Sequence, residues 1–157
     1  MHLRKVFQHP LPGLAAALCL AFSAPTFSGT AQSAANPARV EHARIRWLPG
    51  DLPLAGYFDL TNTGRQPLTF TGASSEAFGS VMMHRTVHKG GETEMTAVQD
   101  LTVRPGQTLH FSPDGYHLML MARSRPLATG DAVPIHLMFG GGRSMDVMFT
   151  VGGANMP

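Results

Sequence analysis

From about residue 40 onward, short runs of alternating apolar and polar side chains are broken every eight to twelve residues by clusters of Gly, Pro, Asn and Asp. Alternation with a period of two buries one face of a strand and wets the other, and breaks at this spacing are those of an antiparallel all-β domain. No long stretch keeps the 3.6-residue period of an amphipathic helix. The pattern predicts nine strands, at about Val40–Trp47, Ala55–Asn62, Pro67–Ala73, Ser80–Val87, Glu94–Val98, Thr108–Phe111, Tyr116–Ala122, Val133–Phe139 and Ser144–Val151, arranged in two sheets. The turns between them carry residues that supply positive φ or a preset proline angle, among them Leu48-Pro49-Gly50-Asp51, Asn62-Thr63-Gly64, Lys89-Gly90-Gly91, Pro113-Asp114-Gly115 and Gly140-Gly141-Gly142.

The first 35 residues break this pattern. They hold no Asp or Glu, carry Arg4 and Lys5, and run apolar from Leu11 to Phe22 before the small residues Ser33 and Ala35. This is the make-up of a cleaved export signal, too short in its apolar part to stay in a bilayer as a spanning helix. Residues 1–35 are therefore expected to be a signal peptide and 36–157 the working domain, exported to the periplasm.

Charge and cysteine count change once the leader is set aside. The whole chain has a formal charge of +2, but residues 36–157 hold ten basic and ten acidic side chains. No nucleic-acid partner or basic membrane-binding patch is expected. The single cysteine, Cys19, lies inside the leader after Leu18, where lipoprotein processing calls for a small residue, so neither a thiol nor a lipid anchor is expected in the exported form. Blue-copper centres, thiol oxidoreductases and thiolate zinc sites all need a cysteine and are excluded with it.

Methionine and histidine remain, nine and six of them after residue 35. Most of the methionines are expected to fill core gaps. On the strand from Tyr116, however, His117, Met119 and Met121 project to one face and Leu118 and Leu120 to the other; on Ser80–Val87, Met82, His84 and Thr86 share a face opposite Met83 and Arg85. The Gly90-Gly91 hairpin allows Met95, which opens the next strand, to return beside His84. Two imidazoles with two uncharged thioethers favour Cu(I), whereas zinc takes thiolate, imidazole or carboxylate, and calcium and magnesium take oxygen.

The spacing is His84, ten residues, Met95, twenty-one residues, His117, one residue, Met119. It resembles the periplasmic copper chaperones of the PCu(A)C family, and the likeness extends through Ala55-Gly56-Tyr57-Phe58, Thr61-Asn62-Thr63-Gly64, Gly72-Ala73-Ser74-Ser75, Gly115 to Met121, Pro126-Leu127 and Gly130-Asp131. The resemblance implies a cupredoxin-like, Ig-like antiparallel β-sandwich that binds Cu(I) through His84, Met95, His117 and Met119. It also implies delivery of copper to a CuA-bearing cytochrome oxidase subunit during oxidase assembly, or to another copper chaperone. Members often carry acidic residues on either side of the first histidine; here Met82-Met83 precede it and Arg85 follows, which offers Met82 as a fifth or substitute sulfur. The tail, Ala154-Asn155-Met156-Pro157, lacks the His- and Met-rich extension of some members, so no tail site for Cu(II) is expected.

Met121 is expected to pack beside the site and Met83 to lie in the core. His136-Leu137-Met138 repeats the tripeptide His117-Leu118-Met119 without a second spaced pair, and sheet packing with a satisfied imidazole is expected there. His42, His88 and His110 read as surface or turn histidines, and Trp47, Tyr57, Phe58 and Phe139 as core or sheet-face aromatics. No nucleophile stands beside a base and no carboxylate pair has a recognisable spacing, so a monomeric carrier is expected rather than an enzyme. A copper-storage or scavenging protein, or a sandwich without metal, are the other readings the residues allow.

Overall fold

The computed structural model describes residues 36–153, so the expectations for the leader, Cys19 and the tail lie outside the described residues. Ten strands form: β1 (Ala38–Arg46), β2 (Leu54–Asn62), β3 (Leu68–Ser74), β4 (Phe78–Lys89), β5 (Glu92–Ala97), β6 (Leu101–Val103), β7 (Thr108–Phe111), β8 (Tyr116–Arg123), β9 (Ala132–Phe139) and β10 (Arg143–Gly152). The all-β class and the nine expected strands are borne out, with edges moved by a few residues. The strand that was not expected, β6, is three residues long and too short to show alternation. It is held by β3 and by the buried Asn62, whose Nδ2 donates to the carbonyls of Val103 and Gln66 at 2.8 Å each, while its Oδ1 accepts from the Gly64 amide at 2.9 Å. A buried amide with its hydrogen bonds made fixes the β2–β3 turn and the β6 edge together.

The strands do not separate into two sheets. They are hydrogen-bonded in one run, β5-β4-β8-β7-β2-β1-β10-β9-β3-β6, with a further β8–β2 pairing. All pairs are antiparallel except β1–β10 and β7–β8. The run nevertheless folds into facing layers. Phe58 on β2 and Phe70 on β3 are far apart in the strand order, yet their rings meet edge to face at 6.1 Å; Phe58 also stacks on Phe111 of β7 at 4.1 Å and meets Phe149 of β10 at 5.6 Å. β1 joins the layers, pairing with β2 on one side and β10 on the other, and a bulge between Glu41 and Arg44 bends it, with His42 at φ 54°. A bulge adds the local twist that such a corner needs.

The core between the layers consists of the inward positions of each strand, including Leu118 and Leu120 on β8 and Ile135 and Leu137 on β9. Each such side chain contributes about 1.5–3 kcal/mol by leaving water. Met83, Tyr57, Phe58 and Phe139 are buried as expected, and Trp47 is half-buried with its Nε1 donating to the Leu127 carbonyl at 3.1 Å. With the inward leucines of β8 committed to this core, His117, Met119 and Met121 must face out of it.

Candidate metal centre

The site is built by register. Gly90 and Gly91 occupy the turn between β4 and β5 with φ of 62° and 86°, the double positive φ of a two-residue hairpin turn that other side chains resist. That turn pairs Lys89 with Glu92, and the count back along both strands sets Met95 opposite Thr86 and Ala97 opposite His84. On the other side of β4, His84 faces His117, Met82 faces Met119 and Ser80 faces Met121. Directly opposed residues in an antiparallel pair project to the same side, with Cβ atoms about 4.5–5.5 Å apart and diagonal neighbours about 7–8 Å apart. The outer face of β5-β4-β8 therefore carries all four expected ligands: His84 at the centre, His117 across from it, and Met95 and Met119 on its two diagonals. Met95 is thus a diagonal neighbour of His84, and the small Ala97 stands directly across.

The two imidazole rings lie 6.0 Å apart, centre to centre, and nearly perpendicular at 85°. His117 is only 3% exposed, and its Nδ1 lies 3.3 Å from the Gly115 carbonyl oxygen. A carbonyl only accepts, so Nδ1 carries the proton and Nε2 keeps its lone pair. Burial pushes the His117 pKa down; the Gly115 carbonyl pushes it up and the neighbouring His84 adds to the lowering, leaving it below the ordinary value of 6.5. The neutral, ligating form is favoured. His84 is half-buried, and its Nδ1 is the buried side-chain polar atom, among the described residues, left without a hydrogen-bond partner. An orphaned buried donor or acceptor costs about 1–3 kcal/mol, and an ion bound there would relieve that cost.

The turn before β8 is fastened to β4 at one end of the site: the Thr86 amide donates to the Gly115 carbonyl at 3.0 Å and the Thr86 hydroxyl to the Pro113 carbonyl at 2.9 Å. Met95 is 56% and Met82 42% exposed, while Met119 and Met121 are half-buried. Among the described residues no three His, Cys, Asp or Glu side chains gather so as to hold a metal. Besides its two imidazoles, the donors this face offers are thioether sulfurs, a set that suits a soft monovalent cation better than zinc or calcium.

Sequence reading passed over three contributors. Thr86 ties the turn before β8 to β4, the Gly115 carbonyl sets the His117 tautomer and Ala97 is the small residue across from His84. The Gly90-Gly91 turn was the available signal for Thr86 and Ala97, since its length fixes every later pair. The second tripeptide lies elsewhere, on β9, where His136 Nδ1 donates to Asp146 on β10 at 2.7 Å and Met138 is 36% exposed. The imidazole is satisfied as expected, but only Leu137 packs inward; His136 and Met138 line the outer surface.

The family model described as "Putative lipoprotein LpqE-like" matches residues 38–151. The chain is 33% identical over 128 residues to "Putative lipoprotein Lxx21020" of Leifsonia xyli subsp. xyli, covering 81% of this chain and 76% of that one. Among solved structures it is similar to the Cu(I) form of DR1885 from Deinococcus radiodurans, at 34% identity and TM-score 0.63 over 82% of this chain and 87% of that one. The copper-bound PCuAC domain of PmoF2 shares the fold at 21% identity and TM-score 0.62, over 75% of this chain and 94% of that domain. The cupredoxin-like β-sandwich and the PCuAC resemblance read from the sequence are borne out by these matches.

Proposed function

The chain belongs to the LpqE-like family, and from that premise we propose that it is an exported Cu(I) metallochaperone whose ligands are His84, Met95, His117 and Met119. One observation carries the reading: two histidines face each other across adjacent strands on a thioether-bearing face, one with its Nδ1 buried and unpartnered, the other buried with its Nδ1 on the Gly115 carbonyl. Histidines placed for structure alone would be expected to find hydrogen-bond partners, as His136 does. The copper-bound relatives with this fold support a copper cargo.

The arrangement suits transfer better than storage. His117 supplies a nitrogen whose orientation is set by the Gly115 carbonyl, and the exposed Met95 and Met82 leave one side of the ion open to a partner's donors. Copper passed by stepwise ligand exchange needs such an approach, because a new bond must begin to form before the old set lets go. The proposed recipient is the CuA-bearing subunit of cytochrome oxidase. We further propose that residues 1–35 are removed on export to the periplasm and that the remainder acts as a monomer. The family and relative are named as lipoproteins; in this chain the residue before Cys19 is Leu18, which favours a protein released without a lipid. No helix among the described residues is long and apolar enough to cross a membrane.

Titration of residues 36–157 with Cu(I) against a competing chelator is expected to show one tight equivalent, and replacement of His117 and Met119 together by Ala to abolish it. Tight binding that survives the double replacement overturns the ligand set. Absence of binding by the unaltered protein, with no copper-dependent rise in melting temperature, leaves a sandwich without a metal role. Copper uptake by an apo CuA domain tests the recipient, and failure of that step alone favours storage or scavenging.

A further inference from the structure

The four-ligand set leaves one sulfur on the outer face of β4 unused. Met82 stands directly opposite Met119, two residues before His84 on the same side of the strand, and is 42% exposed where Met119 is half-buried. It also lines a groove shared with Gly72, Asp100 and Met138 and with Ala97, the residue directly across from His84. Gly72 helps to keep this groove open to Met138, since a Cβ there would come within 3.3 Å of the Met138 methyl. Met82 thus stands both beside the proposed ligand Met119 and on an open groove.

We propose that Met82 is the exchange ligand of this protein, the thioether through which Cu(I) enters and leaves the four-donor site. The proposal rests on the Cu(I) reading above and adds a residue to it. In the step, a dative bond from the Met82 sulfur to copper forms as the dative bond from Met119, its cross-strand partner, breaks. Copper stays Cu(I), no electron is transferred, and no proton moves because thioethers do not titrate. The ion then lies beneath the exposed sulfur at the mouth of the groove, where an incoming donor completes the handover. Methionine suits this role because its unbranched side chain changes rotamer easily and its soft sulfur is a good but replaceable ligand for Cu(I). A charged residue at position 82 would serve neither purpose.

The test uses Met82→Leu, which keeps volume and apolarity at an exposed position, so the fold should be retained; a thermal melt checks it. Stopped-flow transfer of Cu(I) from the loaded protein to a bidentate chelator is expected to slow about tenfold in its chelator-dependent rate, while equilibrium affinity changes by less than about threefold. Met148→Leu, which removes another exposed thioether, on β10, is expected to leave both unchanged. In protein carrying ¹³C-methyl methionine, the Met82 methyl resonance is expected to move on Cu(I) addition and the Met148 resonance to stay. An unchanged transfer rate in Met82→Leu overturns the proposal. So does a loss of affinity as large as that from removing Met119, which would make Met82 a resident ligand. Failure of the unaltered protein to bind Cu(I) is a separate result that removes the underlying reading as well.

Discussion

The same three residues, His-Leu-Met, occur on β8 and on β9, and the two copies have different surroundings. In both, leucine points into the core and is fully buried, while histidine and methionine face outward. On β8 the neighbour across from His117 is another histidine, and a carbonyl from its own turn accepts the hydrogen bond from Nδ1. On β9 the neighbour across from His136 is Asp146, whose carboxylate accepts the Nδ1 hydrogen at 2.7 Å, and opposite Met138 on β10 lies Ser144 rather than a second thioether. The tripeptide sets which way the side chains point. The cross-strand partners decide whether they gather other imidazole and thioether donors or bond to a carboxylate.

The largest effect that would break this contrast is in copper affinity. Replacing His136 and Met138 together by Ala is expected to leave the tight Cu(I) equivalent within about twofold of the unaltered protein, whereas the same pair of changes at His117 and Met119 removes it. Equal losses in the two double variants, measured by chelator competition, would mean that context does not separate the copies. The next effect concerns what the copies share. Leu118→Ala and Leu137→Ala each empty a fully buried position in one continuous core, and each is expected to cost about 2–5 kcal/mol in the denaturant unfolding of the metal-free protein. A near-silent Leu118→Ala beside a costly Leu137→Ala would show that β8 does not carry the core as β9 does.

Which parts of this were legible in the sequence follows from which interactions are local. Strand positions and outward faces rest on alternation between successive residues, so Met82, His84, His117 and Met119 could be assigned to faces without coordinates. The β4–β5 register was also within reach, because Gly90 and Gly91 fix it. The Gly140 to Gly142 turn bounds the β9–β10 register in the same way, but nothing in the spacing marks Asp146 as the acceptor of the His136 Nδ1 hydrogen. The merging of two expected sheets into one depends on the parallel pairing of β1 with β10, from opposite ends of the domain. β6 escaped notice because a tertiary contact, the Asn62 amide on the Val103 carbonyl, helps to define it.

The smallest predicted effect extends the lesson of His136 to the remaining carboxylate-bound histidines. Asp59 on β2 accepts from two of them, His42 Nδ1 at 2.8 Å and His110 Nδ1 at 2.6 Å. His42 sits in the β1 bulge at φ 54°, a left-handed backbone that residues with a Cβ rarely adopt, and its bond to Asp59 helps to hold it there. Burial pushes the Asp59 carboxyl up, but hydrogen bonds and positive charge from His42 and His110 outweigh it, and the pKa lies below the usual 3.8. A carboxyl with a depressed folded-state pKa adds stability that is complete above the unfolded value and is lost as pH falls through the folded one. Asp59→Asn is therefore expected to lower stability by on the order of 1 kcal/mol at neutral pH and to flatten its decline below about pH 4, so that the two proteins converge in acid. Urea midpoints at a series of pH values measure this, with Cu(I) affinity at neutral pH expected to stay the same. Parallel curves would show that the Asp59 cluster has no part in acid stability, and a fall in copper affinity would tie it to the β4-β8 face, from which the strand register separates it.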